Sequence, residues 1–190
     1  IDLRAKGAKV VAISDVSGGC YNESGVDLDK AIEWTKSGKL LKDFDPDNFI
    51  SNDDLLVLDV DILVPAAIDG VITGENAGKV KAKIIAEGAN GPLTREAVDI
   101  CTKNGCFIIP DILCNAGGVI VSYFEWVQGL QNFFWDLDQI NGKLYSILKT
   151  SFDEVIKCHE DYKVDMKKAA FIAALRRLAN AMRVRGLFPA

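Results

Sequence analysis

A chain of 190 residues with 49% hydrophobic and 26% charged side chains can bury a substantial core, as one domain or as one domain with a helical annex. Its formal net charge of −5, without a dense Lys/Arg run, argues against a polyanion partner, so no nucleic acid is expected. No apolar run reaches the ~18 residues that span a bilayer and no signal peptide opens the chain, so no membrane partner is expected and the localisation is read as cytoplasmic.

The first residues, Leu3 to Lys6, read as the tail of a helix capped by Gly7, and Ile1 stands where a methionine would open a complete chain, so the start reads as a cut through a longer protein. Ala8 to Ser14 is a short, β-branched and nearly continuous apolar run, which predicts a buried parallel strand ending at Asp15. Gly18 to Glu23 predicts a small β excursion with turns, and Asp27 or Asp29 starts a helix that runs to Gly38. Lys39 to Asn52, broken by Pro46, reads as a surface loop.

Ile62 to Val64 is a second candidate strand, closed by the small residues Pro65, Ala66 and Ala67, which leave room for a ligand at a strand's C-terminal end. A short helix at Asn76 to Val80, a strand at Lys83 to Ala86, a helix capped by Thr94 over Arg95 to Lys103 and a strand at Cys106 to Ile109 follow. Strands alternating with helices at this spacing predict a parallel sheet with crossover helices.

The stretch from Ile108 to Trp126 organises the rest. A β-rich run is stopped by Pro110, and an Asn-Ala-Gly-Gly turn launches an apolar helix through Val119, Ile120, Tyr123 and Phe124. Gly117 and Gly118 carry no Cβ, so they admit either a planar ligand or a tightly packed helix. Asn115 carries both a donor and an acceptor, which suits a carboxamide, and it equally suits a helix N-cap. From Asp136 onward the chain reads as two helices. Leu137, Ile140, Leu144, Ile147, Leu148, Phe152, Val155 and Ile156 form one apolar face; Met166, Phe171, Ala174, Leu175, Leu178 and Met182 form the other, with a stop at Gly186 and Pro189 beyond it. The arginines of the last helix read as solvated or ion-paired.

Five cysteines, odd in number and without a C-x-x-C pair, predict reduced thiols and no metal site. The single histidine, His159, sits beside Glu160 and Asp161 and reads as a solvated side chain.

Five blocks in order carry a resemblance: V-A-I-S-D-V-S-G-G from Val11, D-I-L-V-P-A-A from Asp61, A-E-G-A-N-G-P from Ala86, the Pro110 to Gln128 stretch, and the F-F-W that follows. Together they resemble the C-terminal, cofactor-binding half of glutamate dehydrogenases, in the family that also holds leucine, phenylalanine and valine dehydrogenases. The resemblance implies an α/β fold: a doubly wound, Rossmann-like parallel sheet lacking its first strand, followed by C-terminal helices. It implies a dinucleotide-binding domain over residues 1–130, N-terminally incomplete, and a helical segment over 131–190 that packs back toward a substrate domain outside this chain.

By the same resemblance the cofactor is NAD, and Asp15 binds the adenine ribose. Ala66 and Ala67 lie against the dinucleotide, Asn90 and Asn115 fix the nicotinamide ribose and carboxamide, and Ser122 contacts the side-chain carboxylate of glutamate. The partners implied are L-glutamate, or 2-oxoglutarate with ammonia, and further copies of the chain in a homo-oligomer built through the missing N-terminal domain. No catalytic residue is expected here, because the family's lysine and aspartate belong to that domain, and the G-x-G-x-x-G phosphate loop occurs nowhere in these residues. The chain alone is therefore expected to be inactive. Alternatives are a branched-chain or aromatic amino-acid dehydrogenase of the same family, and a non-catalytic nucleotide-binding or assembly module.

Overall fold

The computed structural model describes residues 2–186 and is a mixed α/β structure with two three-stranded sheets. Pro189 lies outside the described residues. Two compact units divide the chain: one holds it up to Val60 together with Lys79–Ala82, and the other holds Asp61–Gly78 and the chain from Lys83 onward.

In the first unit a short helix α1 (Asp2–Ala5) precedes β1 (Ala12–Asp15), β2 (Gly18–Tyr21), α2 (Leu28–Lys36), β3 (Phe49–Ile50) and α3 (Asn52–Leu56). The expected parallel strand at Ala8 to Ser14 is shorter and differently paired. β1 starts at Ala12 and turns back at once, so that Ala12 faces Tyr21 and Asp15 faces Gly18 in an antiparallel ladder. The cause is local: Gly18 takes a φ of +109° that closes the turn, and a Cβ on Gly19 would sit 1.8 Å from the Ile13 carbonyl oxygen, so only glycine allows the strands to approach. The expected loop at Lys39 to Asn52 contains two 3₁₀ turns, Leu41–Asp43 and Pro46–Asn48, and β3. Of the two expected starts, Asp27 is the one that caps α2, accepting from the Lys30 amide.

The second unit carries the parallel sheet that the alternation predicts. β4 (Ile62–Leu63), β5 (Ile84–Ala86) and β6 (Phe107–Ile109) lie side by side in sequence order, with Leu63 opposite Ile85 and Ile85 opposite Ile108. α4 (Arg95–Lys103) makes the crossover from β5 to β6, capped by the Thr94 side chain. In-phase pairing puts the three strand ends together, at Pro65, Glu87 and Pro110.

After β6 come a one-turn helix α5 (Asp111–Cys114), then α6 (Gly117–Gln131), α7 (Leu137–Tyr162) and α8 (Met166–Arg185). α7 opens with a reciprocal capping box between Asp136 and Gln139, and Asp165 caps α8. Leu113, Val155, Cys158, Met166, Ala169 and Ala170 form a core, with Phe107, Ile109 and Phe152 packed against it.

Two expectations need correction here. On α8 the buried face is Met166, Ala169 and Ala170, whereas Phe171, Leu175, Leu178 and Met182 are exposed. Small residues let α8 lie close to α7, and the larger apolar side chains point the other way. His159 is not solvated: it is half-buried, its Nδ1 lies 2.6 Å from the Val164 carbonyl oxygen, and its ring meets Phe107 edge-on. For that contact Nδ1 carries the proton and donates, fastening the turn between α7 and α8.

Ala169 is fully buried in the core that holds Val155 and Cys158 of α7. Ala169→Leu is expected to overpack the α7–α8 contact and lower unfolding stability by ~1–3 kcal/mol. Chemical denaturation measures it, and an unchanged midpoint would show that α8 does not close on α7 there.

Candidate functional site

The carboxyl ends of β4, β5 and β6 form one surface. The Ala89 amide donates to the Pro65 carbonyl at 2.9 Å and the Glu87 amide to the Ile109 carbonyl at 3.1 Å, so the loops after the strands are tied to one another. Gly88 lies against Ala66, where an added Cβ would come within 3.0 Å of the Ala66 Cβ. Ala66 and Ala67 themselves are exposed and offer only methyl groups.

Asn90 and Asn115 meet on this surface. The Asn115 Nδ2 donates to Asn90 Oδ1 at 2.7 Å and makes a longer contact of 3.4 Å to the Gly88 carbonyl. That spends both Asn115 amide hydrogens and leaves its Oδ1 as an acceptor, beside the Nδ2 donors of Asn90. One acceptor beside one donor is the complement of a carboxamide. The residues therefore fit the nicotinamide end of a dinucleotide; nothing in the sequence supplies the glycine loop for its pyrophosphate.

The helix-launching turn is different from the expected one. Asn115 closes α5, its amide donating to the Asp111 carbonyl, and Ala116 already has helical dihedral angles, so Asn115 is not the N-cap of α6. Its side chain is thereby freed to reach Asn90. A Cβ on Gly117 or Gly118 would meet nothing within 4 Å, so helix packing among the described residues does not require either glycine.

Asp15 stands in the first unit. Its Oδ1 accepts from the Ser17 amide and hydroxyl and its Oδ2 from the Leu41 amide at 2.8 Å. Burial works against ionisation, but the Ser17 hydroxyl and the Leu41 and Ser17 amides outweigh it and hold the carboxyl below its ordinary range. Ser122 is exposed on α6, and its hydroxyl donates back to the Val119 carbonyl at 2.9 Å.

Sequence reasoning passed over the most heavily constrained group of the surface. Glu87 is fully buried; its Oε2 accepts from the Asp111 amide at 2.8 Å, and its Oε1 has no protein partner. Lys167 places its Nζ 3.9 Å from Glu87 Oε2 and 3.5 Å from Asp111 Oδ1. Burial pushes the Glu87 carboxyl up, against the Asp111 amide and Lys167. At Asp111 burial also acts upward, but the Gly91 and Ile112 amides and Lys167 prevail and hold that carboxyl down. The available signal was an acidic residue set directly after an apolar strand, in E-G-A-N-G-P.

Among the described residues no group of three or more His, Cys, Asp or Glu could hold a metal ion, and no helix is long and apolar enough to cross a membrane.

A family model described as glutamate/leucine/phenylalanine/valine dehydrogenase matches residues 2–186. The chain is 51% identical over 183 residues to a glutamate dehydrogenase of Thermotoga maritima, a match covering 96% of the chain and 44% of that relative. Glutamate dehydrogenase A2 of Halobacterium salinarum is 45% identical over 98% of the chain and 45% of its own length. The chain thus spans less than half the length of these relatives. Among solved structures it is similar to a hetero-hexameric glutamate dehydrogenase from Thermus thermophilus, at a TM-score of 0.88 and 31% identity over 99% of the chain and 44% of the other. The enzyme from Peptoniphilus asaccharolyticus gives a TM-score of 0.81 at 31% identity, covering 98% of the chain and 43% of its own.

A carboxyl whose folded pKa is raised contributes stability below its unfolded pKa and loses it as pH rises through the folded value. Glu87→Gln removes that loss, so the variant should gain on the parent as pH is raised from about 4 to about 8, across the carboxylate range. Parallel denaturant titrations at the two pH values test it, and a variant that loses ground to the parent as pH rises would contradict the burial of the charge. Gly118→Ala should raise unfolding stability by ~0.4–1 kcal/mol through helix propensity; a loss in denaturant titration would reveal a contact on that face.

Proposed function

Given that the chain belongs to the glutamate/leucine/phenylalanine/valine dehydrogenase family, we propose that it is the cofactor-binding part of an NAD-dependent glutamate dehydrogenase. The reaction is the reversible oxidative deamination of L-glutamate to 2-oxoglutarate and ammonia. The observation that carries this reading is the Asn90–Asn115 pair, with its unspent acceptor and donor at the ends of parallel strands.

A bound nicotinamide ring supplies the hydride acceptor. The chain's own residues then bind and orient. Asn115 and Asn90 hold the carboxamide and ribose, so that one face of the ring is presented in a fixed attitude. Ala66 and Ala67 leave space along the dinucleotide. Asp15 accepts from the adenine-ribose hydroxyls while the Ser17 and Leu41 donors keep it ionised. That fixed negative charge disfavours a 2′-phosphate, and Val16 to Gly19 offer no cation to offset it, which favours NAD over NADP.

Ser122 is the contact for the glutamate side chain. A carboxylate needs a donor, so the hydroxyl must rotate away from Val119 to reach it. An aliphatic side chain there would leave the carboxylate unpaired, which separates glutamate from leucine or valine as substrate. By the resemblance the proton-transfer residues belong to the family's substrate domain, and we propose that these 190 residues alone are inactive.

We read residues 1–130 as the dinucleotide-binding domain and 131–190 as helices that pack against a substrate domain. The exposed apolar face of α8 (Phe171, Leu175, Leu178, Met182) supports that packing. We read the whole enzyme as a cytoplasmic homo-oligomer; the hetero-hexameric glutamate dehydrogenase of Thermus thermophilus supports the oligomerisation.

Titration of the ¹⁵N-labelled chain with millimolar NAD tests the reading. The side-chain amide signals of Asn90 and Asn115 should move on addition, and Asn115→Ala should weaken the response about tenfold, the loss of one to two hydrogen bonds. NAD binding that leaves both amides unmoved would remove the pair from the site.

A further inference from the structure

Lys167 belongs to the first turn of α8, 52 positions along the chain from Asn115 and 77 from Asn90. It nevertheless meets both carboxylates beneath that surface. We propose that Lys167 is a positioning residue: with Glu87 and Asp111 it fastens helix α8 to the loops that hold the Asn90–Asn115 amide pair and fixes the attitude of that pair. Its functional consequence rests on reading the pair as the nicotinamide contact.

The geometry forms a continuous path. Glu87 Oε2 accepts from the Asp111 amide at the opening of α5. Asp111 Oδ2 accepts from the Gly91 amide at 2.8 Å, which holds the residue next to Asn90 in a left-handed conformation, φ +57°. The Asp111 main-chain carbonyl accepts from the Asn115 amide at 2.9 Å. Asp111 therefore fixes both members of the pair, one through its side chain and one through its backbone. Asp111 in turn sits beside a second carboxylate, Glu87, that is fully buried. Two carboxylates this close repel, and the Lys167 ammonium, one third exposed, is the cation that both of them meet.

Without that ammonium the pair of carboxylates relaxes by separation or by taking up a proton. Either response moves Asp111, and Asp111 carries Gly91 and Asn115 with it. Lysine suits the place because a compact charge on a long stem can serve two acceptors at once. The stem of methionine has similar bulk and no charge, so Lys167→Met isolates the electrostatic part. Lys167→Arg retains it.

The test uses the ¹⁵N-labelled chain without cofactor and then with NAD. In Lys167→Met the Asn90 and Asn115 side-chain amides should shift, and their hydrogen exchange should speed up about tenfold or more, the factor that loss of a charge-assisted contact corresponds to. The Ser17 and Leu41 amides, which bond to Asp15, should stay in place. Lys167→Arg should restore the Asn signals. Asp111→Asn, which turns one accepting oxygen into a donor, should disturb the same two amides with Lys167 intact. Wild-type Asn signals in Lys167→Met would overturn the proposal. So would a Lys167→Arg spectrum that matches Lys167→Met. The two readings fail separately: if NAD binds and moves the amides but Lys167→Met leaves them unchanged, this inference falls alone. If the amides respond to Lys167→Met and NAD never moves them, the positioning network stands and the nicotinamide reading falls.

Discussion

A carboxylate taken out of water must be given partners, and Glu87 shows how that requirement shapes everything around it. Parallel pairing of β5 with β6 sets Ala86 opposite Ile109, so the residues that follow, Glu87 and Pro110, leave the sheet together. Pro110 has no amide hydrogen to offer, and the first donor available is the Asp111 amide at the opening of α5. Helix openings carry unpaired amides, so one interaction satisfies both the buried acid and the helix end. α5 is only one turn long, an anchor between strand and loop, and α6 starts afresh at Gly117.

The same constraint orders the loop after β5. Gly91 takes a positive φ and gives its amide to Asp111, while Pro92 is fully buried behind it. The segment from Glu87 to Leu93 is thus held at both ends, and Asn90 is the exposed residue at its crest. A rigid presentation of one exposed amide, opposite a second amide on another loop, is what preorganised recognition of a small planar group requires.

The helices distribute their apolar residues unusually. α7 and α8 close on each other through alanines, Val155 and Cys158, while Leu137, Tyr145, Phe171 and Leu175 stay exposed. Val119, Trp126, Phe133 and Phe134 add to the exposed apolar surface around α6. Isolated apolar residues at a surface need no explanation, but a set of this size on adjoining elements has the composition of an interaction surface.

Local chemistry was legible in the sequence wherever one residue and its near neighbours decide the outcome. Thr94 caps the helix that its position announces, Asp27 caps α2 as one of its two expected starts, and α4 spans Arg95–Lys103 as its pattern predicts. The three strands of the parallel sheet fall where short apolar runs meet turn residues. Asn115 could be singled out because it opens the Asn-Ala-Gly-Gly turn, and Asn90 through the resemblance its block carries. What the sequence could not contain was the identity of distant partners. An apolar run at Ala8 to Ser14 states that a strand can form, and the turn at Gly18, by bringing β2 back alongside, decided that it pairs antiparallel. Helical periodicity on α8 shows that apolar faces exist, but the closeness of α7 selected the alanine face and left the bulkier one outside. A glutamate after a strand reads like any loop acid. Only the meeting of β5, α5 and α8 makes Glu87 a buried charge with Asp111 and Lys167 around it, because burial and electrostatic neighbours are properties of three-dimensional proximity and not of order along the chain.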